Sequence, residues 1–140
     1  MRPVAFDVPA EVAFDYLVDP RNRPQWQSSL RRVEVTETEP RVGQTWVDVT
    51  SAGVRPAMET TVLDRPTTWT ERGTWRGIQA TLTLRFADRG GTCTVTAEAV
   101  VTGSGIAGLL GPALTRAAAL AVPGDLERAA RILSERPAGH

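Results

Sequence analysis

The chain has 140 residues and a mass of 15.1 kDa, with 41% hydrophobic and 23% charged residues, the size and balance of one ordinary domain with its own core. Sixteen basic and sixteen acidic side chains cancel and are spread along the whole length, which excludes the clustered positive charge of a nucleic-acid binder. A single cysteine, Cys93, and a single histidine, His140, exclude an internal disulfide and leave no ligand set for zinc, an iron–sulfur cluster or haem.

The first residues, Met1 to Val8, alternate Val4, Phe6 and Val8 with Ala5 and Asp7 and predict a short strand. Pro9 and Glu11 then suit the start of a helix, and Val12, Ala13, Tyr16 and Leu17 recur at helical spacing. Asp19-Pro20 ends that helix and starts another, because aspartate caps and proline fits a first helical position. The second is expected to be short and irregular, from Pro20 to Leu30, and carries Trp26.

From Arg31 the period changes to two. Val33 and Val35 alternate with charged residues, Gln44 to Thr50 is a second such run, and Ala57 to Leu63 a third. Thr67 to Trp75, rich in threonine and tryptophan, favours a fourth strand. The clearest pair follows: Ile78, Ala80, Leu82, Leu84 and Phe86 share one parity, Asp88-Arg89-Gly90-Gly91 turns the chain, and Cys93, Val95, Ala97, Ala99 and Val101 share the next. Strands with one dry and one wet face imply an antiparallel sheet covered on one side, and Cys93 reads as a small buried apolar residue within it.

After Thr102-Gly103-Ser104 a helix is expected, capped by Ser104. Ile106, Leu109, Leu110, Ala113, Leu114, Ala117, Leu120 and Ala121 form its apolar stripe. Gly108, Gly111 and Pro112 loosen its first turns, and Pro123-Gly124 should kink or break it, with Asp125 capping the continuation. Leu126, Ala129, Ala130, Ile132 and Leu133 carry the apolar face on to a frayed tail ending at His140. The stretch from Ile106 to Val122 is too short and interrupted to span a bilayer, no basic segment with a long apolar run marks a secretory leader, and the cytoplasm is the expected location.

The stretch PAEVAFDYLVDPRNRPQW, with Pro9, Ala10, Glu11 and Val12, then Asp19, then Pro24 and Trp26, resembles the opening of the START-like (SRPBCC) superfamily, in particular its polyketide cyclase/dehydrase and lipid-transport group. VGQTW (Val42 to Trp46), LDRPTTW (Leu63 to Trp69), Gly91-Thr92 with Val95, and Asp125-Leu126 are similar to later motifs of that group, in the same order and over nearly the whole chain. The resemblance implies an α+β helix-grip fold over residues 1–140 as a single ligand-binding domain. In it a curved antiparallel sheet of about six to seven strands wraps a long C-terminal helix, with two short helices after the first strand. It also implies a deep cavity between sheet and helix for a lipid, a polyketide or another apolar molecule.

The four tryptophans, Trp26, Trp46, Trp69 and Trp75, are large apolar surfaces with one donor each. With Met58, Leu84 and Phe86 of the sheet and Leu109, Leu110 and Leu114 of the helix they form the expected ligand-binding set, the glycines near those leucines allowing the helix to act as a movable lid. General acid–base chemistry would need a titratable group in a dry pocket; Asp48, Glu59, Glu71 and Tyr16 are the candidates, and rims or wet faces are their expected places. Arg72, Arg76 or Arg85 could meet a ligand anion. No nucleophile–base motif and no phosphate cradle is present, so the catalytic residues are left unassigned and no metal or other cofactor is expected.

The leading expectation is therefore a binder or carrier of an apolar small molecule, without nucleic acid and without stable membrane insertion. The alternatives are a polyketide cyclase/dehydratase-type enzyme using a pocket carboxylate or tyrosine, and a co-chaperone-like interaction module. A homodimer through an exposed edge stays open.

Overall fold

The computed structural model describes residues 1–136. Its elements are β1 (Val4–Phe6), α1 (Ala10–Val18), a 3-10 turn (Pro20–Asn22), α2 (Arg23–Trp26), β2 (Leu30–Glu34), β3 (Thr45–Thr50), β4 (Ala57–Asp64), β5 (Thr68–Trp75), β6 (Ile78–Asp88), β7 (Cys93–Gly103), a second 3-10 turn (Gly105–Leu110) and α3 (Gly111–Ser134). Seven strands form one sheet in the order β1-β7-β6-β5-β4-β3-β2, and every neighbouring pair is antiparallel. The strand-rich middle of the sequence thus becomes a meander from β2 to β7, and the first strand closes on the last. This is the helix-grip arrangement that the resemblance implies.

Local chemistry explains the early helices. Pro9 occupies the N-cap of α1 without a side-chain bond, and the main-chain carbonyl of Pro9 accepts from the N–H groups of Val12 and Ala13. Asp19 caps the 3-10 turn by accepting from the Arg21 main-chain N–H at 3.0 Å. The expected irregular helix from Pro20 to Leu30 is a 3-10 turn and a single α-turn, and Leu30 already belongs to β2.

The concave face of the sheet is read in rows. Met58, Gly73, Ala80 and Val101 are successive cross-strand partners, as are Thr60, Glu71, Leu82 and Ala99, and then Leu63, Trp69, Leu84 and Ala97. A bulge between Thr60 and Val62 moves the parity of β4 by one residue, so Leu63 turns inward and Val62 is left 41% exposed. At the β1 end Phe6, Phe14, Phe86 and Val95 pack with Ala129 and Leu133 of α3, and Cys93 is buried there as a free thiol.

The last helix differs from expectation in three ways. It runs unbroken through Pro123 for 24 residues, and Asp125 lies inside it, accepting from the Ser28 hydroxyl at 2.9 Å instead of capping. Ser104 makes no side-chain cap bond. Most consequentially, α3 starts only at Gly111, and its first half faces the sheet with Gly111, Thr115, Ala118 and Val122, while Leu109 and Leu110 of the preceding 3-10 turn and Leu114 and Leu120 of the helix are exposed by 80, 53, 38 and 79%.

The reason is a backbone fit. A Cβ on Gly111 would lie 2.8 Å from the Val101 carbonyl oxygen, and one on Gly108 would lie 2.8 Å from that of Gly103. Thr115 Oγ1 also accepts from the Val101 N–H at 2.8 Å, satisfying a β7 donor beyond the reach of short β1. These close approaches set the helix rotation. The glycines read as loosening a lid are the points where it sits tightest against the sheet. The side chain of Ile106 and the tail from 137 to 140 lie outside the described residues.

Candidate ligand-binding cavity

Between the sheet and the middle of α3 lies a cavity of about 380 Å³, inside the range of roughly 300–1,000 Å³ typical of small-molecule sites. It exists because small residues face each other. Gly73, Ala80 and Ala99 floor it from the sheet, and Ala118, Ala121 and Val122 roof it from α3. Side chains this short do not meet across the gap. Gly73 has a specific reason to be glycine, since a Cβ there would come within 2.7 Å of Met58 Sδ. Ala121 is exposed and lines the cavity with Trp75, Ile78 and Val54, which places the opening between the β5–β6 turn and the helix. That turn, Arg76 and Gly77, has positive φ at both residues, 46° and 79°, as a two-residue hairpin connection requires.

One end of the cavity is polar. Arg23 of α2 is 2% exposed and Glu71 of β5 is 3% exposed, and they form a bidentate pair: Nη1 donates to Oε2 at 2.7 Å and Nη2 to Oε1 at 2.8 Å. Arg23 Nε donates to Gln27 Oε1 at 2.8 Å, and Nη2 reaches the same oxygen. The guanidinium carbon lies over two indole rings, 4.9 Å from the Trp26 centroid and 5.7 Å from that of Trp69. Burial opposes its charge, but the carboxylates of Glu71, Asp48 and Asp125 together outweigh that and hold the Arg23 pKa above its ordinary value.

Asp48 of β3 completes this end. It is 3% exposed, and its Oδ1 accepts from Trp46 Nε1 at 2.9 Å. Among the described residues nothing donates to Oδ2. Burial pushes its pKa up to about 6; the neighbouring Arg23 charge opposes the rise and the Glu71 charge adds to it.

Of the expected binding set, Trp26, Met58, Trp75 and Leu84 line this cavity. The other six do not. Trp46 points its N–H at Asp48 and packs into the core beside the cavity. Trp69 is fully buried behind the ion pair, its Nε1 3.4 Å from Thr60 Oγ1. Phe86 packs edge-on to Phe14, with centroids 5.1 Å apart. Leu109 and Leu110, in the second 3-10 turn, and Leu114 of α3 are turned to the outside.

Two of the charged candidates sort differently from expectation. Asp48 and Glu71 are inside, not at a rim. Glu59 is outside the cavity as expected, half-buried and paired with Arg72 at 2.9 Å, Arg85 pairs with Glu98, Arg76 lies over the Trp75 ring, and Tyr16 donates to Gln25 Oε1 at 2.8 Å away from the cavity. Arg23 was not among the anion-binding candidates. Its only trace in the sequence is one arginine in a run with Arg21, four residues before Gln27, where one helical turn aligns the two side chains.

The chain belongs to the family described as polyketide cyclase/dehydrase and lipid transport, which it matches over residues 2–136. Membership supports binding of hydrophobic ligands in general terms. No curated protein sequence matches the chain. Among solved structures it is similar to protein MLL2253 from Mesorhizobium loti, with 15% identity, a TM-score of 0.70 and coverage of 97% of this chain and 99% of that one. It is similar to Ara h 8.0201, with 12% identity, a TM-score of 0.73 and 96% coverage of both. The di-domain ARO/CYC protein BexL, from the BE-7585A biosynthetic pathway, aligns at 17% identity and a TM-score of 0.71 over 97% of this chain and 50% of BexL. At these identities the likenesses establish the fold. Among the described residues no helix is long and apolar enough to cross a membrane.

Proposed function

We propose that this protein binds and carries an apolar small molecule, a lipid, polyketide or aromatic compound, in the cavity between the sheet and α3. The observation that carries the reading is the gap of about 380 Å³ walled by Gly73, Ala80, Ala99, Ala118 and Val122. A core left unfilled forfeits packing energy, and a ligand restores it. Because Trp26 and Trp75 line the walls, occupancy should quench or shift tryptophan emission and raise the melting temperature. A panel of hydrocarbons, long-chain alcohols and polycyclic aromatics that changed neither signal would remove the proposal.

A second reading is favoured by one specific feature. Asp48 presents a buried carboxyl with a pKa near 6 to the cavity, the property a general acid or base requires near neutral pH. Under that reading the chain is a cyclase or dehydratase in which Asp48 moves the proton. Asp48→Asn would then bind product normally but lose turnover, whereas a pure carrier shows no turnover to lose.

A further inference from the structure

The cavity has one chemically distinct end, and its charge is lopsided: Asp48, Glu71 and Asp125 line it against the single cation Arg23. Arg23 is the cation there, and four of its five N–H donors are committed, to both oxygens of Glu71 and to the side-chain oxygen of Gln27. The Trp26 and Trp69 rings lie close to it. The Gln27 amide donates to Ser29, and the Thr50 hydroxyl donates to the Val54 carbonyl. Trp26 Nε1 has no partner but is itself closed off in the core, and the Ser29 hydroxyl accepts from Gln27, so what distinguishes this end is its charge: its one cation is already engaged.

Two carboxylate oxygens there are open. Asp48 Oδ2 receives no bond from the described residues although the residue is almost wholly buried. Asp125, entering from α3, receives the Ser28 main-chain N–H and hydroxyl on Oδ1 alone. With Arg23 neutralised by Glu71, the charge left over at this end is negative. A buried acceptor without a donor is costly, and a carboxylate brought beside it in a weakly screened cavity would be repelled.

We propose that the cavity selects apolar ligands ending in a hydrogen-bond donor, a hydroxyl or an amine, which Asp48 Oδ2 receives, and rejects ligands of the same body ending in a carboxylate. This rests on the carrier reading above and adds to it the class of ligand and the residue that sets it. The apolar body lies along Ala80, Leu82, Ala99 and Trp75 towards the opening, and the head group lies by Asp48 at the closed end.

The test uses four probes with one bicyclic aromatic body, substituted at the same ring carbon: methylnaphthalene, naphthalenemethanol, naphthylmethylamine and naphthoate. Affinities are measured by calorimetry on the full chain at about pH 7.5, where Asp48 is ionised. The alcohol and the amine should bind about tenfold more tightly than the hydrocarbon, and naphthoate about tenfold more weakly. Asp48→Asn keeps an acceptor for Trp46 and turns an amide donor to the cavity, so naphthoate should gain and the amine should lose about tenfold.

Should that variant not fold, the wild type at about pH 5 serves in its place, since protonated Asp48 becomes a donor there. The groups facing Asp48 in that comparison are Trp46 on its own strand, Arg23 from α2, Glu71 from β5 and Asp125 from α3, and naphthoate should again gain on the amine. Equal binding of all four probes, or an order unchanged by both Asp48→Asn and pH, overturns the head-group assignment and leaves the apolar cavity standing. No binding of any probe to the folded chain overturns the carrier reading and the assignment together.

Discussion

Replacing Asp48 by asparagine tests the buried polar end through stability alone, without any ligand. In the unfolded chain the Asp48 carboxyl ionises near its ordinary 3.8, and in the folded chain near 6. Between those values the folded state holds a proton that the unfolded state has released, so stability falls as pH rises and levels off above the folded value. Each pH unit in that interval is worth ~1.4 kcal/mol, so the span from 3.8 to about 6 amounts to about 3 kcal/mol of stability withheld at neutral pH. Asparagine keeps the volume and the acceptor for Trp46 Nε1 but has no charge to bury. Urea unfolding of both proteins, followed by tryptophan emission at several pH values between about 4 and 8, should show their difference changing with pH. The two should be closest near pH 4, and the variant should gain up to about 3 kcal/mol on the wild type above pH 7. Any constant effect of the substitution cancels from that trend. A difference that stays flat across the range would show that Asp48 is not the buried, weakly compensated charge described above.

The ion pair beside it gives the opposite sign. Arg23→Met strips a buried carboxylate of its partner and should cost about 3–5 kcal/mol, while Arg23→Met with Glu71→Leu should recover most of that loss in the same unfolding assay. Gly103→Ala sets a Cβ 2.7 Å from the Ala107 carbonyl group and 2.9 Å from the Gly108 nitrogen, and should cost about 1–3 kcal/mol by thermal unfolding. Gly73→Ala meets only the movable end of Met58; it should change stability by less than about 1 kcal/mol while lowering the affinity of any cavity probe, because Met58 is displaced. Leu120→Ser should be neutral within about 0.5 kcal/mol, whereas Leu126→Ala should cost about 2–5 kcal/mol, since Leu120 is 79% exposed and Leu126 1% exposed.

The strands were legible because their signal is local. The alternation from Ile78 to Phe86 and from Cys93 to Val101 places every inward residue on the correct face, and Asp88 to Gly91 supplies the turn. The bulge in β4 was not legible: nothing in Met58, Thr60 and Val62 announces that parity changes between the last two. The long helix misled for a related reason. Leu109, Leu110, Leu114 and Leu120 make the more hydrophobic stripe, but the inward face is decided by which residues let two backbones touch, and those are Gly108 and Gly111 with the hydroxyl of Thr115.

The same competition between size and polarity explains why the site was half visible. A search for ligand-binding residues favours large apolar side chains, and large side chains fill space: Trp69 and Phe86 are packed solid. A cavity is made where the residues are too small to close it, so Gly73, Ala80, Ala99 and Ala118 define its volume more than any tryptophan does. Its polar end was equally hidden. Arg23, Asp48 and Glu71 stand 25 and 23 residues apart in sequence, and each alone looks like an ordinary surface charge. Only the register Thr60↔Glu71 and the inward parity of Asp48 bring the carboxylates to the same concave face, where α2 lays Arg23 across them. Residues chosen for what they leave empty, and charges whose meaning depends on strand register, carry little local signature, so the fold could be read from pattern while the site required coordinates.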